Sequence, residues 1–418
     1  REGSIDVNLV NAPDGVLGPH REKEGSFYAI REVFSPVKIG LETLPEGFRG
    51  TLPVENRYEF TTLDQCSFKW QLLQFPDPSE GIAGHRITEE GTLQGPTLGP
   101  GTAGILQLML PAGWEKSDAL RLECYDPHEK RIMEWVWPIG DQLAWLPGRL
   151  EHDSVGEVDG EETDTTLVLS SNGISITLDK KSGLLSRVVN NQRRVTTFRN
   201  GPVPCNGTAT LEGLSHYRKG EAYCVEATFG GALDRVRWTM HPGGWVEMEY
   251  TYSLSGPFDY AGISFDFEEH YVMSARWLGQ GPYRVWKNRM GGGTYGLWEK
   301  AYNNTMAGEA PWDFPEFKGY HAHVAWMELN TLDGKILVAI PDHDLFVRLF
   351  DFHALPEPTP HPALPPGDLS FLDAIPPTGT KMSTNLNAGP QTTGPQGAPN
   401  LMEGSHTHTL WFNFGILP

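Results

Sequence analysis

The feature that most restricts the fold is a recurrence of short segments in which apolar and polar residues alternate, each closed by glycine or proline. "RYEFTTL", "FKWQLLQF", "GILQLML", "LRLECYD" and "IMEWVWPI" follow one another up to Ile139. "RVRWTMH", "WVEMEYTYSL", "GISFDFEEHY", "HVAWMEL", "KILVAI", "LFVRLFDF" and "HTHTLWFNFG" carry the pattern on to Gly415. A period of two sends successive side chains to opposite faces, and such strands bury one face only by stacking in layers. With 47 Gly and 33 Pro supplying turns, the chain reads as all-β, built of antiparallel sandwiches.

The 418 residues are enough for two or three cores. Residues 1–38 hold one helical pattern, Phe27, Ile30, Val33 and Phe34, stopped by Ser35-Pro36. It has no partner of its own nearby, so this reads as an exit segment from something upstream or a cap on the following sheet. Residues 39–147 have the strand spacing of an immunoglobulin-like sandwich, with Phe68, Trp70 and Leu72 sharing its inner face. Residues 148–165, "GRLEHDSVGEVDGEETDT", are acidic and poor in large apolar residues, and read as an exposed linker. Residues 166–418 read as one large antiparallel sandwich, opening on hairpins at Asn172-Gly173 and Lys181-Ser182-Gly183.

Charge narrows the partners. A net charge of −20 repels nucleic acid and anionic membranes, and no apolar run is long enough to span a bilayer. A neutral sugar meets no such repulsion, and aromatic residues make up 11% of the chain. Cys66, Cys124, Cys205 and Cys224 form no C-x-x-C pair, which argues against zinc; a Cys66–Cys124 bridge stays open. No signature of a nucleotide cofactor is present, and none is expected. Homo-oligomer formation is left open.

Chemistry is sparse. "EVDGEETD", "FDFEEH" and "PDHD" offer acids, but nothing in the pattern apposes two of them across a cleft, and in "SFDFEEHY" Phe265 and Phe267 take one face while Asp266 and Glu268 take the other. His321 with His323, and His406 with His408, are spaced i, i+2, so a strand would put each pair on one face. Such pairs could bind a metal or a sugar hydroxyl, or act with Tyr320 as base in a lyase or mutarotase.

The least anonymous stretch is "WLGQGPYRVWKNR", Trp277 to Arg289. It resembles the L-G-x-G-P-x-E-x-Y-x-D-R signature of the last domain of large bacterial β-galactosidases, glycoside hydrolase family 2. "DGVLGPHREKEGSFYAIREVFSPVKI" is similar to that family's exit from its catalytic barrel; "SGLLSRVVNN", "FRNGPVP", "APWDFPEFKGYHAHVAW" and "HTHTLWFNF" are similar to its terminal β-supersandwich. The resemblance implies a post-barrel half that lacks both catalytic glutamates and lends loops to a cleft for an oligo- or polysaccharide. It implies rim contacts at Arg199, Asn200 and Asn206, a wall at Trp312, and polar contacts at Asn385, Asn387 and Gln391. It also implies association with an upstream catalytic barrel, in the same protein or a separate chain. A periplasmic or secreted location is a separate expectation. Arg284, Trp286 and Asn288 stand where the signature has Glu, Tyr and Asp, and no Trp lies between Asn385 and Asn400, so the sugar need not be galactose. A non-catalytic carbohydrate-binding scaffold is the alternative from another class, as is a lyase or mutarotase-like enzyme.

Overall fold

A computed structural model describes residues 16, 17, 21, 23, 25–301, 318–350, 364–378 and 397–415. Its strands form two stacked-sheet bodies. In the first, a three-stranded sheet of Val37–Ile39, Thr51–Asn56 and Ala103–Gln107 faces a four-stranded sheet ordered Arg86–Gln94, Ser67–Gln74, Ala119–Tyr125, Arg131–Pro138. Phe68, Trp70 and Leu72 point inward, as their spacing requires, and meet Leu52, Val54, Leu106 and Trp137. Trp70 needs a gap in the neighbouring strand. Gly91 lies opposite it in the register, where a Cβ would stand 2.6 Å from the indole.

Two sequence expectations fail in this region. "RYEFTTL" is a loop, and Phe60 is 90% exposed. The cause is Asn56, whose Oδ1 accepts from the Tyr58 N–H while its amide donates to the carbonyls of Thr61 and Leu98. These bonds curl the chain where alternation alone would extend it. The acidic segment 148–165 is not a bare linker either. Helix α2, Trp145–His152, covers its start, and Asp159–Glu162 forms a strand paired to Thr166–Ser171. Leu146 and Val158 are buried there, and two apolar anchors suffice to dock a segment whose other side chains face water. Cys66 and Cys124 are both buried, and all four cysteines are free thiols.

The second body stacks an eight-stranded sheet on a nine-stranded one. Asn172 and Gly173 both adopt positive φ, 49° and 78°, the tight-hairpin geometry that their dipeptide favours. Leu167, Leu169, Ile176 and Leu178 of the flanking strands are buried between the sheets with Phe265, Phe267, Leu410 and Phe412. The strand Ser405–Asn413 runs through the middle of the nine-stranded sheet, between Trp245–Ser253 and Gly334–Ala339.

A third apolar cluster joins the bodies: Leu73, Phe75 and Ala119 from the first, Leu143 just before α2 and Leu146 within it, and Trp245, Leu278 and Trp326 from the second. Arg276, 3% exposed, crosses the joint. Its guanidinium donates to the carbonyls of Ile82 and Pro78 at 3.0 and 2.6 Å and sits 3.4 Å from Glu328. The N-terminal helix is present as α1, Gly25–Val33, while Val33 and Phe34 remain exposed.

Candidate functional site

The strand Val272–Gly281 ends in the motif that carried the family resemblance. Trp286 and Arg289 close a tight turn through two backbone hydrogen bonds. Trp286 is fully buried and meets Tyr320 edge-on at 5.1 Å, in a small core with Cys205, Val285, Ala322, Phe350, Leu372 and Ile375. Its role is therefore to fix a corner, and it is not displayed to a ligand.

That corner holds other segments in place. Val285 exchanges backbone hydrogen bonds of 2.8 Å with Tyr320, three residues beyond residues 302–317. Asn288 receives the Thr378 N–H on Oδ1 at 2.9 Å and donates from Nδ2 to the Thr378 carbonyl at 2.7 Å, directly before residues 379–396. The Lys287 N–H donates to the Pro376 carbonyl, and its Nζ reaches the Ala398 carbonyl at 2.6 Å. On the other side, the Tyr283 hydroxyl donates to the Lys23 carbonyl, the Tyr283 ring lies 5.5 Å from that of Tyr28, and Glu32 accepts from the Gly292 N–H. Helix α1, Tyr320 and the residues on either side of 379–396 thus meet on the Tyr283–Gly292 corner.

The expected rim residues divide. Asn206 lies at the corner: its amide donates to the Tyr260 carbonyl at 2.7 Å, next to the buried Cys205. Burial pushes the Cys205 thiol well above its usual range. Arg199 and Asn200 stand exposed at the far end of the strand Arg199–Pro204 that precedes Asn206, where Arg199 pairs with Glu268 at 3.5 Å and Asn200 donates to Asp266 at 3.0 Å. The structure does not bring these two together with Asn206. Trp312, Asn385, Asn387 and Gln391 lie outside the described residues.

Around the corner are groups that sequence reasoning did not select: Asp259, Tyr260, Lys287, Asn288 and Asn400. Asn400 donates to the carbonyls of Asp259 and Ile375. Burial raises the Asp259 carboxyl against the pull of Lys287, and lowers Lys287 against the pull of Asp259. Asn288 could have been chosen from its place in the motif; the others are assembled only by folding.

The histidine pairs behave differently from each other. His321 is buried and His323 exposed, because neither lies on a strand: His321 makes an isolated bridge to Val347, and the chain bends at His323, φ 53°. Burial drives His321 far toward the neutral form and raises the Tyr320 phenol. Tyr320 is wholly buried, which does not suit a base that must touch substrate. His406 and His408 do share a face. They stack against Tyr252 and Tyr250, and His408 sits between two acids, its Nδ1 2.7 Å from Asp342 and its Nε2 2.9 Å from Asp373. Tyr252 donates to Asp373 from the adjacent strand. Burial opposes charge on both partners, yet their mutual hydrogen bonds win, raising His408 and lowering Asp373. An imidazole fills the space between the two carboxylates, so neither faces the water or sugar oxygen that an inverting or retaining acid pair must flank.

The described residues thus form two antiparallel β-sandwiches with a polar corner at the end of the larger one, an all-β sandwich fold. Residues 170–361, whose described part belongs to the larger sandwich, match the family described as beta galactosidase small chain. That region is accordingly β-galactosidase-like, and the match supports a β-galactosidase-related glycoside hydrolase component. No curated protein matches the chain.

Proposed function

We propose that this chain frames the sugar cleft of a retaining β-glycoside hydrolase whose two catalytic carboxylates sit on an upstream barrel, in a protein of the periplasm or cell exterior. In this reading the larger sandwich contributes the rim. Lys287 and Asn288 hold the residues flanking 379–396, Asn206 lies at the same corner, and Trp312, Asn385, Asn387 and Gln391 contact an oligosaccharide. The observation that carries the reading is the convergence of helix α1, Tyr320 and the residues flanking 379–396 on the Tyr283–Gly292 corner. A barrel preceding α1 would emerge beside the same corner. Retaining hydrolysis needs carboxyls about 5–5.5 Å apart, and the Asp342–His408–Asp373 arrangement does not offer an open pair.

The test compares the isolated chain with the chain joined to its upstream neighbour, on a panel of nitrophenyl glycosides and a uronic-acid polysaccharide. Turnover only in the joined form supports the proposal. Turnover by the lone chain, or an unsaturated product from the polysaccharide, overturns it. Saturable sugar binding without turnover in either form would instead establish a carbohydrate-binding scaffold.

A further inference from the structure

We propose that His406, His408 and Asp373 form a binding site for a divalent transition metal, tying the last strand of the nine-stranded sheet to the eight-stranded sheet across the core. One donor atom from each of the three lies within 4.8 Å of the others. A tetrahedral ion about 2.0–2.2 Å from each donor places them roughly 3.4 Å apart, so small side-chain rotations close the set. Two imidazoles and one carboxylate are the donors that Zn2+, Co2+ or Ni2+ prefer and that Mg2+ and Ca2+ do not.

The surroundings are those of a built site. A histidine ligand works best when its other ring nitrogen is held by a carboxylate, which fixes the tautomer. Asp342 holds His408 Nδ1 at 2.7 Å and so directs Nε2 toward Asp373. Asp373 is oriented in turn by the Tyr252 hydroxyl, which donates to Oδ2. His406 lies nearly parallel to the Tyr252 ring, at 5.1 Å and 18°, and its Nε2 is buried with no hydrogen-bond partner among the described residues. A buried, unpartnered ring nitrogen costs free energy, and a metal ion is a partner that would satisfy it. On binding, the ion takes the place of the proton between His408 Nε2 and Asp373. The ligands come from strands Leu369–Ala374 and Ser405–Asn413, on facing sheets. The role inferred is a structural clip, independent of where the catalytic carboxylates lie.

The experiment titrates the full chain, stripped with a chelator, with Zn2+ by calorimetry and with Co2+ by visible absorption. The expected result is one saturable site, a tetrahedral cobalt spectrum and a higher thermal midpoint with Zn2+, with no comparable rise from Mg2+ or Ca2+. H406A and H408A should abolish the cobalt spectrum, and D342N, which removes only a positioning carboxylate, should weaken affinity by roughly 10–100-fold. H241A, altering a histidine paired to Glu247 elsewhere on the surface, should change nothing. If H408A does not fold, the wild-type spectrum and the half-exposed His406 variant decide. Absence of saturable Zn2+ or Co2+ binding overturns the proposal, as does binding that survives H406A or H408A.

Discussion

Asn288→Asp is the sharpest single perturbation of the loop-anchoring corner, because it changes one atom and nothing of the shape. The Thr378 backbone fixes which end of the Asn288 amide is which: Oδ1 accepts the N–H at 2.9 Å and Nδ2 donates to the carbonyl at 2.7 Å. An aspartate keeps the first bond and replaces the second with two oxygens in contact. Thr378 is 1% exposed, so water cannot make up the loss. Losing one such bond and leaving its carbonyl unsatisfied costs about 2 kcal/mol. Once protonated, the introduced carboxyl could donate again, so the folded state should raise its pKa above the ordinary value. A raised folded pKa gives stability that is complete below the unfolded value and lost as pH rises through the folded one. With about 1.4 kcal/mol per pH unit, the deficit should grow from near zero below about pH 4 to its full size by roughly pH 5.5. Urea unfolding of the wild type and the variant, followed by tryptophan fluorescence at pH 4 and pH 7, measures it. Equal stability at pH 7, or a deficit of the same size at both values, refutes the claim that this amide clamps the chain before residue 379.

Three further outcomes are expected. Gly91→Ala should destabilise the smaller sandwich by about 1–3 kcal/mol, seen as a lowered unfolding midpoint, since the new methyl meets the Trp70 ring at 2.6 Å. Arg276→Met should cost about 3 kcal/mol and loosen the joint between the bodies, read by faster hydrogen exchange near Pro78–Ile82, because Glu328 loses a buried partner. At Asp153, burial works against the charge, but hydrogen bonds from Trp245, His152 and Arg149 hold the carboxyl below its ordinary value. Its stabilisation is therefore present above the ordinary aspartate pKa and lost as pH falls through the lower folded one; Asp153→Asn should flatten the acid limb of a stability–pH curve.

The inner faces of strands were legible because burial on one side of a sheet leaves a period-two record. Trp70 and the Phe265–Phe267 pair were placed by spacing alone, and the Asn172-Gly173 hairpin by its need for positive φ. What escaped the pattern was set by backbone turns or by distant partners. His323 leaves its expected face through a single left-handed residue. Asn56 ends a strand with side-chain hydrogen bonds that no periodicity encodes. The acids that embrace His408 come from 66 and 35 residues away, so only the assembled sheets could show them. Of the corner residues, Asn206 had been named through the resemblance, whereas Asp259 and Asn400 meet by tertiary packing.

The strand Asp159–Glu162 ends the eight-stranded sheet, with Asp159, Glu161 and Glu162 turned to solvent. A sheet rim offers unpaired N–H and C=O groups to any other strand, and like charges along it keep a second copy from adding on. The composition that made this segment look unstructured thus serves as electrostatic insulation, keeping this edge of the larger body, 17 strands among the described residues, from pairing with a second copy.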